Sequence, residues 1–560
     1  MALMHGSEVL MQTLRYESVE YIFGIPGATE VMFMDALERY PEMKYILGLH
    51  EVIAAGMAEG YARMSGKPGF LNLHTAPGLA AAMPMLINAQ MGGVPLVVTA
   101  GQQDTRLILR DPHLTGDLVG MAKFFSKWQA EVLRAEDIQL AIQRAFKMAM
   151  QPPTGPAFVS LPQDIMDNKI EFEHIPNKPL FVELRPDQRA IDQAVDLLIN
   201  LTYNKPVAMF VENGVARNNA LPEVIKLAEL IGARVYQPWM GDVNFPVQHP
   251  QYIGNVQLFS PESKDLFQSI EVLMIIGCPP YFNISYFDLG SILTKGIKII
   301  QLDDNPWEIA KNFPVTVGIQ GHIKASLREL IDNLEKNMSA KDKESAKIRI
   351  SNIAKEKEAA AEVLRKQDDA EKNNVPISVS RLMQELRDTI KPGTVIVDDC
   401  WSSSQTLQRT LNLAEAKSFH RSRRGGSIGW GLPGAIGARL GAPDRPLIAV
   451  SGDGSAMWSI QSLWTASHYN IPVTFIIIAN ANYRQVKIMR KMFLGGELNK
   501  RHAGMDLDNP IIDFCRLAQS MGVRGDRVEH PDDLREIFKD ALDSNEPRLI
   551  EIKVENRSTP

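Results

Sequence analysis

Asp453, Asn480 and Asn482 have types and a spacing that could do chemistry together. Each sits just past an apolar run: 447–450 leads into Gly452-Asp453-Gly454-Ser455, and 473–478 leads into Asn480-Ala481-Asn482. The stretch between, 457–469, reads as a helix. A strand–turn–helix–strand unit places its two strand ends side by side at the carboxyl edge of a parallel sheet, where open α/β sheets bind ligands. A carboxylate, an amide oxygen and a further backbone or amide oxygen, completed by water and phosphate oxygens, suit Mg²⁺ or Ca²⁺. Gly454 lets the backbone approach an anion, and Ser455 opens a helix whose amino terminus favours phosphate. The unit reads as a holder of a metal–diphosphate; the alternative is a tight turn and a polar strand end.

Chain length sets the frame for this unit. At 560 residues the chain exceeds one domain and suggests three. A net charge of −6 argues against a nucleic-acid or acidic-membrane partner. The apolar runs are strand-sized, well short of a membrane span. Cys278, Cys400 and Cys515 are too far apart in sequence for a metal cluster or a disulfide framework, which fits a reducing cytosol. The first residues lack a basic stretch followed by an apolar core, so no signal peptide is expected and the location reads as cytoplasmic.

In the amino-terminal third, strands over 21–23, 44–49, 69–73, 95–99 and 157–160 alternate with helices over 52–64 and 79–90, a parallel α/β pattern. Thr29 reads as a cap for the next helix. Polar residues recur at the strand ends: Glu51, His74 and Gln102. Taken alone, Glu51 is equally a surface acid favoured by a helix dipole, and His74 a hydrogen-bonded turn histidine. Residues 164–188 read as a linker. A second α/β region has strands over 206–211, 234–237, 272–276 and 298–302 and helices over 221–231 and 322–337. It shows no G-x-G-x-x-G after a strand, and Asp303-Asp304-Asn305 reads as a ribose contact or simply a strand-end turn. The charged stretch 335–374 reads as an exposed helix or connector. The last region begins near 375, with a strand over 394–397, a helix over 428–439, the unit described above, a helix over 531–542 and a strand over 548–554. The fold class is therefore α/β, with three doubly wound parallel-sheet domains: 1–180, 190–338 and 375–560, with 339–374 as connector.

GDGS followed by NAN resembles the cofactor motif of thiamine-diphosphate enzymes of the decarboxylase and acetolactate-synthase superfamily. FGIPGATE, LHEVIAAGMAEGYAR, NLHTAPG and VTAGQQ resemble their pyrimidine-binding domain, most of all that of benzoylformate decarboxylase. The resemblance implies thiamine diphosphate and Mg²⁺ as cofactors, with Asp453, Asn480 and Asn482 as metal ligands. Ser402, Gly454, Ser455 and Tyr483 would contact the cofactor. Ile428 would wedge its two rings into a bend, and the Gly426 carbonyl would accept from the pyrimidine amino group. Glu51 would hydrogen-bond the pyrimidine, and His74 would relay protons. It further implies small 2-keto acid and aldehyde substrates, and a homotetramer built as a dimer of dimers with active sites shared between chains. In relatives the middle domain carries FAD, ADP or nothing; nothing is the expectation here.

The chain departs from the benzoylformate decarboxylase pattern in several places. Ala28 replaces a serine, as in benzaldehyde lyase. Residues 281–286 carry no second histidine. Residues 484–489 replace small and aromatic residues. Leu114 falls where carboligating synthases carry glutamine. The basic run 420–424 reads as a solvated rim, or as a guide for an anionic substrate. The expected activity is decarboxylation of a 2-keto acid with carboligation to aldehydes, a lyase. Alternatives are an acetolactate synthase-like or benzaldehyde lyase-like carboligase, a catalytically idle binding homologue, and a nucleotide-dependent oxidoreductase.

Overall fold

Apolar runs such as Val207–Val211 and Val272–Ile276 are buried along their whole length, as strands covered by helices on both faces must be. A computed structural model gives the arrangement, describing residues 2–176, 183–199, 201, 205–238, 241–242, 244–256, 261–279, 296–411, 413–415, 417–422 and 424–555. Its principal sheets are three six-stranded ones, and every pairing in them is parallel. The chain is thus an α/β protein of three doubly wound sheets.

The first sheet runs Lys44–Leu47, Tyr21–Gly24, Gly69–Leu73, Leu96–Gln102, Ala157–Pro162, Trp128–Glu131. The third runs Phe419–His420, Val395–Asp399, Leu447–Gly452, Thr474–Ala479, Arg548–Lys553, Arg524–Val528. Numbered in chain order, both read 2-1-3-4-6-5, whereas the middle sheet reads 3-2-1-4-5-6. In the first and third sheets the order reverses between strands 1 and 3. There the connecting helices leave on opposite faces and open a crevice beyond the strand ends. His74 follows strand 3 of the first sheet, and Asp453 follows strand 3 of the third.

Several local expectations change. The 164–188 stretch contains a helix, Gln163–Asp167, and a strand, Lys169–Phe172, that pairs antiparallel with Ala2–His5; its short polar run hid an edge strand. Residues 177–182 of that stretch lie outside the described residues. Thr29 caps no helix but sits inside a 3₁₀ turn, Ala28–Glu30. The helix expected over 428–439 is Gly431–Gly441, so Ile428 lies in the loop before it, between Gly426 and Gly429 at φ 80° and 92°. The helix expected over 457–469 is a short turn, Asp453–Ala456, and then Ser462–His468. The connector is one helix, Ala340–Glu371, capped by Ser339 and Asp342. Arg349 on it is buried and donates to the carbonyl of Ile231 at 2.8 Å, closing the end of helix Leu221–Ile231. Asp303 and Asp304 are engaged internally: Asp303 accepts from the Asn305 amide at 2.8 Å and Asp304 from Asn218 at 2.9 Å. This is the strand-end turn.

Helix Glu51–Ser65 of the first domain lies directly on helix Gly431–Gly441 of the third. A Cβ at Gly60 would stand 2.0 Å from the Gly434 carbonyl, and one at Gly437 1.9 Å from that of Met57. Only glycine permits that backbone contact.

Beside it lies a buried charge junction. The basic run is neither a solvated rim nor a substrate guide: His420, Arg421 and Ser422 are buried, and Arg423 lies outside the described residues. Arg421 donates through Nε to Asp398 at 2.7 Å and through its amide to Asp242 of the middle domain at 2.6 Å. Arg424 pairs with buried Glu212 of the middle domain. Ser422 donates to Glu59, which also takes Arg63. Burial pushes the Glu59 carboxyl up, while Arg63 beside it opposes the shift.

We expect Arg421→Met to destabilise the fold by about 3–5 kcal/mol, because Asp398 loses its buried partner; urea unfolding measures it. Burial, with Asp304 nearby, pushes the Asp303 carboxyl up to about 7. A raised folded-state value favours folding fully below the unfolded value, and that contribution is lost as pH rises through about 7. Asp303→Asn should therefore raise the unfolding midpoint at pH above 7 and gain little in acid, a comparison calorimetry makes directly.

Candidate active site

The carboxyl edge of the third sheet gathers the candidate metal ligands. Asp453 begins a short helix and is 4% exposed. Its Oδ1 accepts from the Gly454 amide at 2.8 Å; its Oδ2 accepts from the amides of Asn480 at 3.0 Å and Ala481 at 2.6 Å. Burial pushes its carboxyl up to about 6 against those three backbone bonds. Ala481 sits at φ 55°, a left-handed conformation that costs a non-glycine residue about 1 kcal/mol or more. That kink turns the chain so that Asn480 Oδ1 accepts from the Asn482 amide at 3.1 Å. The Tyr483 ring lies on Gly454, where a Cβ would meet it at 2.5 Å.

Three positioning residues were not singled out by the sequence, although Glu30 closes the FGIPGATE motif. Asp399 Oδ2 accepts from the amides of Gly429 at 2.9 Å and Gly431 at 3.2 Å, bracketing the loop that bears Ile428. Asn88 of the first domain is fully buried and clamps Ser427, donating to its carbonyl at 3.1 Å and accepting from its amide at 3.2 Å. Glu30 is described below. A strand-end acid and a polar residue inside an apolar helix were the available signals. Ser402 lies in the turn Trp401–Ser403 after strand Val395–Asp399. Beside Gly426, as beside Gly452, a Cβ would meet nothing within 4 Å. In the 484–489 segment, Lys487 pairs with Asp506 and Arg484 donates to Asn499 at 2.9 Å, so both tether the chain that follows.

The first sheet's edge gathers the second group. Glu51 opens its helix, capped by His50, whose Nδ1 accepts from the Val52 amide at 3.1 Å. Its carboxylate is partly exposed and lies near Gly78. His74 Nδ1 donates to Glu30 Oε2 at 2.8 Å, with Thr29 Oγ1 at 3.1 Å. Glu30 is 2% exposed and also accepts from the amides of Gly27 and Gly101, each at 3.0 Å. The imidazole is thus held by a buried carboxylate, leaving Nε2 for other work. Thr75, next to it, is buried at φ 49°, strain of the kind that collects at functional sites. Ala28 is exposed on the turn. Gln102 donates to the Gly116 carbonyl at 3.0 Å and so ties down the loop that holds Leu114 at φ 68°. Segment 281–286 lies outside the described residues.

Three parallel sheets, with a buried carboxylate at one switch point and a carboxylate-held histidine at another, define an α/β protein whose polar groups gather where such sheets bind ligands. Family comparisons name the cofactor. Residues 4–121 match the N-terminal TPP binding domain of thiamine pyrophosphate enzymes, 191–330 their central domain and 402–552 their C-terminal TPP binding domain. The chain is 30% identical to the "Probable acetolactate synthase large subunit" of Methanococcus aeolicus, over 99% of this chain and 93% of that protein. It is 28% identical to the benzoylformate decarboxylase of Pseudomonas aeruginosa, over 97% of each. The solved thiamine diphosphate-dependent 4-hydroxybenzoylformate decarboxylase of Rhodococcus jostii RHA1 superposes with a TM-score of 0.85 at 27% identity, covering 99% of this chain and 100% of that one. The chain belongs to the thiamine pyrophosphate enzyme family, within its decarboxylase and acetolactate-synthase branch.

A Cβ at Gly27 would lie 2.1–2.5 Å from three atoms of the His74 ring. Gly27→Ala should therefore displace the imidazole and lower turnover about 100-fold. Steady-state kinetics beside cofactor calorimetry would check it, with cofactor affinity expected to hold.

Proposed function

We propose that this enzyme releases CO₂ from a 2-keto acid and either protonates the remaining acyl carbon to give an aldehyde or joins that carbon to the carbonyl of an aldehyde acceptor. The observation that carries this reading is His74 held by Glu30 at 2.8 Å, a proton relay at the carboxyl edge of the first sheet. Likeness to the benzoylformate decarboxylases supports it. Acetolactate synthase-type carboligation is the second reading, favoured by the likeness to the Methanococcus protein.

The residues present fit the cofactor. Asp453 is a buried carboxylate whose ionisation burial opposes, and a divalent cation, Mg²⁺ in this reading, offsets that cost. Asn480 and Asn482 supply further oxygens. Ser402, Gly454 and Ser455 would hold the diphosphate, with Tyr483 packed against Gly454. Thiamine diphosphate, when bound, supplies the electron sink that lets the carbon–carbon bond beside a carbonyl break. Ile428, whose loop Asp399 and Asn88 hold through its neighbours, would support the cofactor's two rings. The Gly426 carbonyl would accept a hydrogen bond from the pyrimidine amino group. Glu51 would hydrogen-bond the pyrimidine ring nitrogen and share a proton with it. His74 moves protons at Nε2 while Glu30 fixes Nδ1. Ala28 and Leu114 shape the substrate side.

Large apolar side chains are exposed near both groups: Leu49 ahead of Glu51, and Met457 and Trp458 after Asp453. We read this surface as part of an oligomer interface, a dimer of dimers in which one chain's Glu51 meets another's anchored cofactor. Among the described residues no helix is long and apolar enough to cross a membrane.

Product identification by NMR tests the proposal, with benzoylformate and pyruvate each supplied with and without an aldehyde. Free aldehyde from a keto acid alone is expected, with turnover at least about 100-fold lower in Glu51→Gln. Hydroxyketone formed only with an acceptor would select the second reading. Unchanged rates in Glu51→Gln would refute the role of that carboxylate.

A further inference from the structure

Away from the cofactor residues, a cavity of about 140 Å³ opens where the three domains meet. The first domain contributes Arg63 and the turn around Gly93. The middle domain contributes Arg217 and Asp242, and the third contributes Lys417 and His420. Three basic side chains therefore line it against one carboxylate.

The state of these groups matters more than their number. Arg63 is already committed to Glu59 at 2.8 Å and reaches Asp242 at 3.4 Å. Arg217 spends one N–H on the Gly92 carbonyl at 3.2 Å, and its nearest acid, Asp304, stands 3.9 Å away. Lys417 donates to the Met64 carbonyl at 3.1 Å. Its three-donor ammonium is half-buried, and burial, with Arg445 nearby, pushes its pKa down. His420 is the sharpest sign: its side chain is 5% exposed and its Nε2 has no hydrogen-bond partner. Asp242 stands 3.6 Å from Nδ1, beyond hydrogen-bond range. A buried polar group left unmet costs about 1–3 kcal/mol, and a lining of cations makes an anionic acceptor the complement.

We propose that this cavity binds a small oxyanion: the carboxylate or phosphate group of a molecule of a few heavy atoms. Its volume holds roughly four or five waters at about 30 Å³ each, which fits such a group. Arg217 and Lys417 supply charge-assisted bonds from two domains, and His420 supplies a third contact. The ligand therefore bridges domains that otherwise meet through the Arg421–Asp242 network. The site is tied to both halves of the catalytic machinery. Arg63 lies on the last turn of the helix that Glu51 begins, about 18 Å along it, and His420 precedes the loop of Gly426 and Ile428.

Titration calorimetry on holoenzyme saturated with thiamine diphosphate and Mg²⁺ tests this, with inorganic phosphate and acetate as separate probes. Saturable binding of at least one is expected at one site per chain. Affinity should fall about tenfold or more in Arg217→Gln and in Lys417→Gln, whose unfolding midpoints without ligand report that they fold. Phosphate alone binding identifies a phosphate ligand, and acetate binding a carboxylate. No saturable heat from either probe at millimolar concentration overturns the proposal, as does affinity unchanged from the parent enzyme in both variants. Crystals of the unaltered holoenzyme soaked in arsenate give an answer independent of the variants: anomalous density between Arg217, Lys417 and His420 is expected, and its absence overturns the site.

Discussion

Arg421 lies 1% exposed between a carboxylate of its own domain and one of the middle domain. Around it Arg424, Glu212, Arg63 and Glu59 continue the pattern across all three domains. A buried charge without its partner costs several kcal/mol, so such a network tolerates one relative placement of the domains far better than any other. The glycine-lined contact of helices Glu51–Ser65 and Gly431–Gly441 fixes the same placement by sterics. Charge pairing and close backbone contact thus lock the two catalytic sheets together, and the loops at their carboxyl edges inherit that rigidity.

Within the site, precision comes from backbone geometry held by side chains at one remove. Ile428 is placed by Asp399 reaching the amides on its far side and by Asn88 gripping Ser427 from the other domain. His74 is placed by Glu30, whose own oxygens are occupied by two amides and a threonine hydroxyl. Thr75 and Ala481 hold left-handed conformations beside the proposed proton relay and the proposed metal ligands. Groups fixed in this way need little reorganisation when charge moves, which is where electrostatic catalysis gains most.

The basic run 420–424 shows how sequence and structure divide the information. Five consecutive polar residues, four of them basic or imidazole, carry the composition of an exposed rim, and nothing local distinguishes that from a buried junction. Their acidic partners Asp242, Glu212 and Glu59 lie more than 170 residues away in the chain. Asn88 posed the same difficulty: a lone polar residue in an apolar helix acquires meaning only from Ser427, 339 residues distant.

The sequence by itself determined the α/β class, the strand runs and the pairing of GDGS with NAN, because strand burial and turn chemistry are local properties of residue type and spacing. It also carried Glu51 and His74, since strand-end polar residues are visible as breaks in apolar runs. Only the tertiary structure decided that Ile428 stands in a loop and not a helix, that Glu30 holds His74, and that the basic run closes a three-domain junction around a cavity. Those are facts about which distant segments share space. They are set by packing and charge compensation summed over the whole fold, which no window of sequence contains.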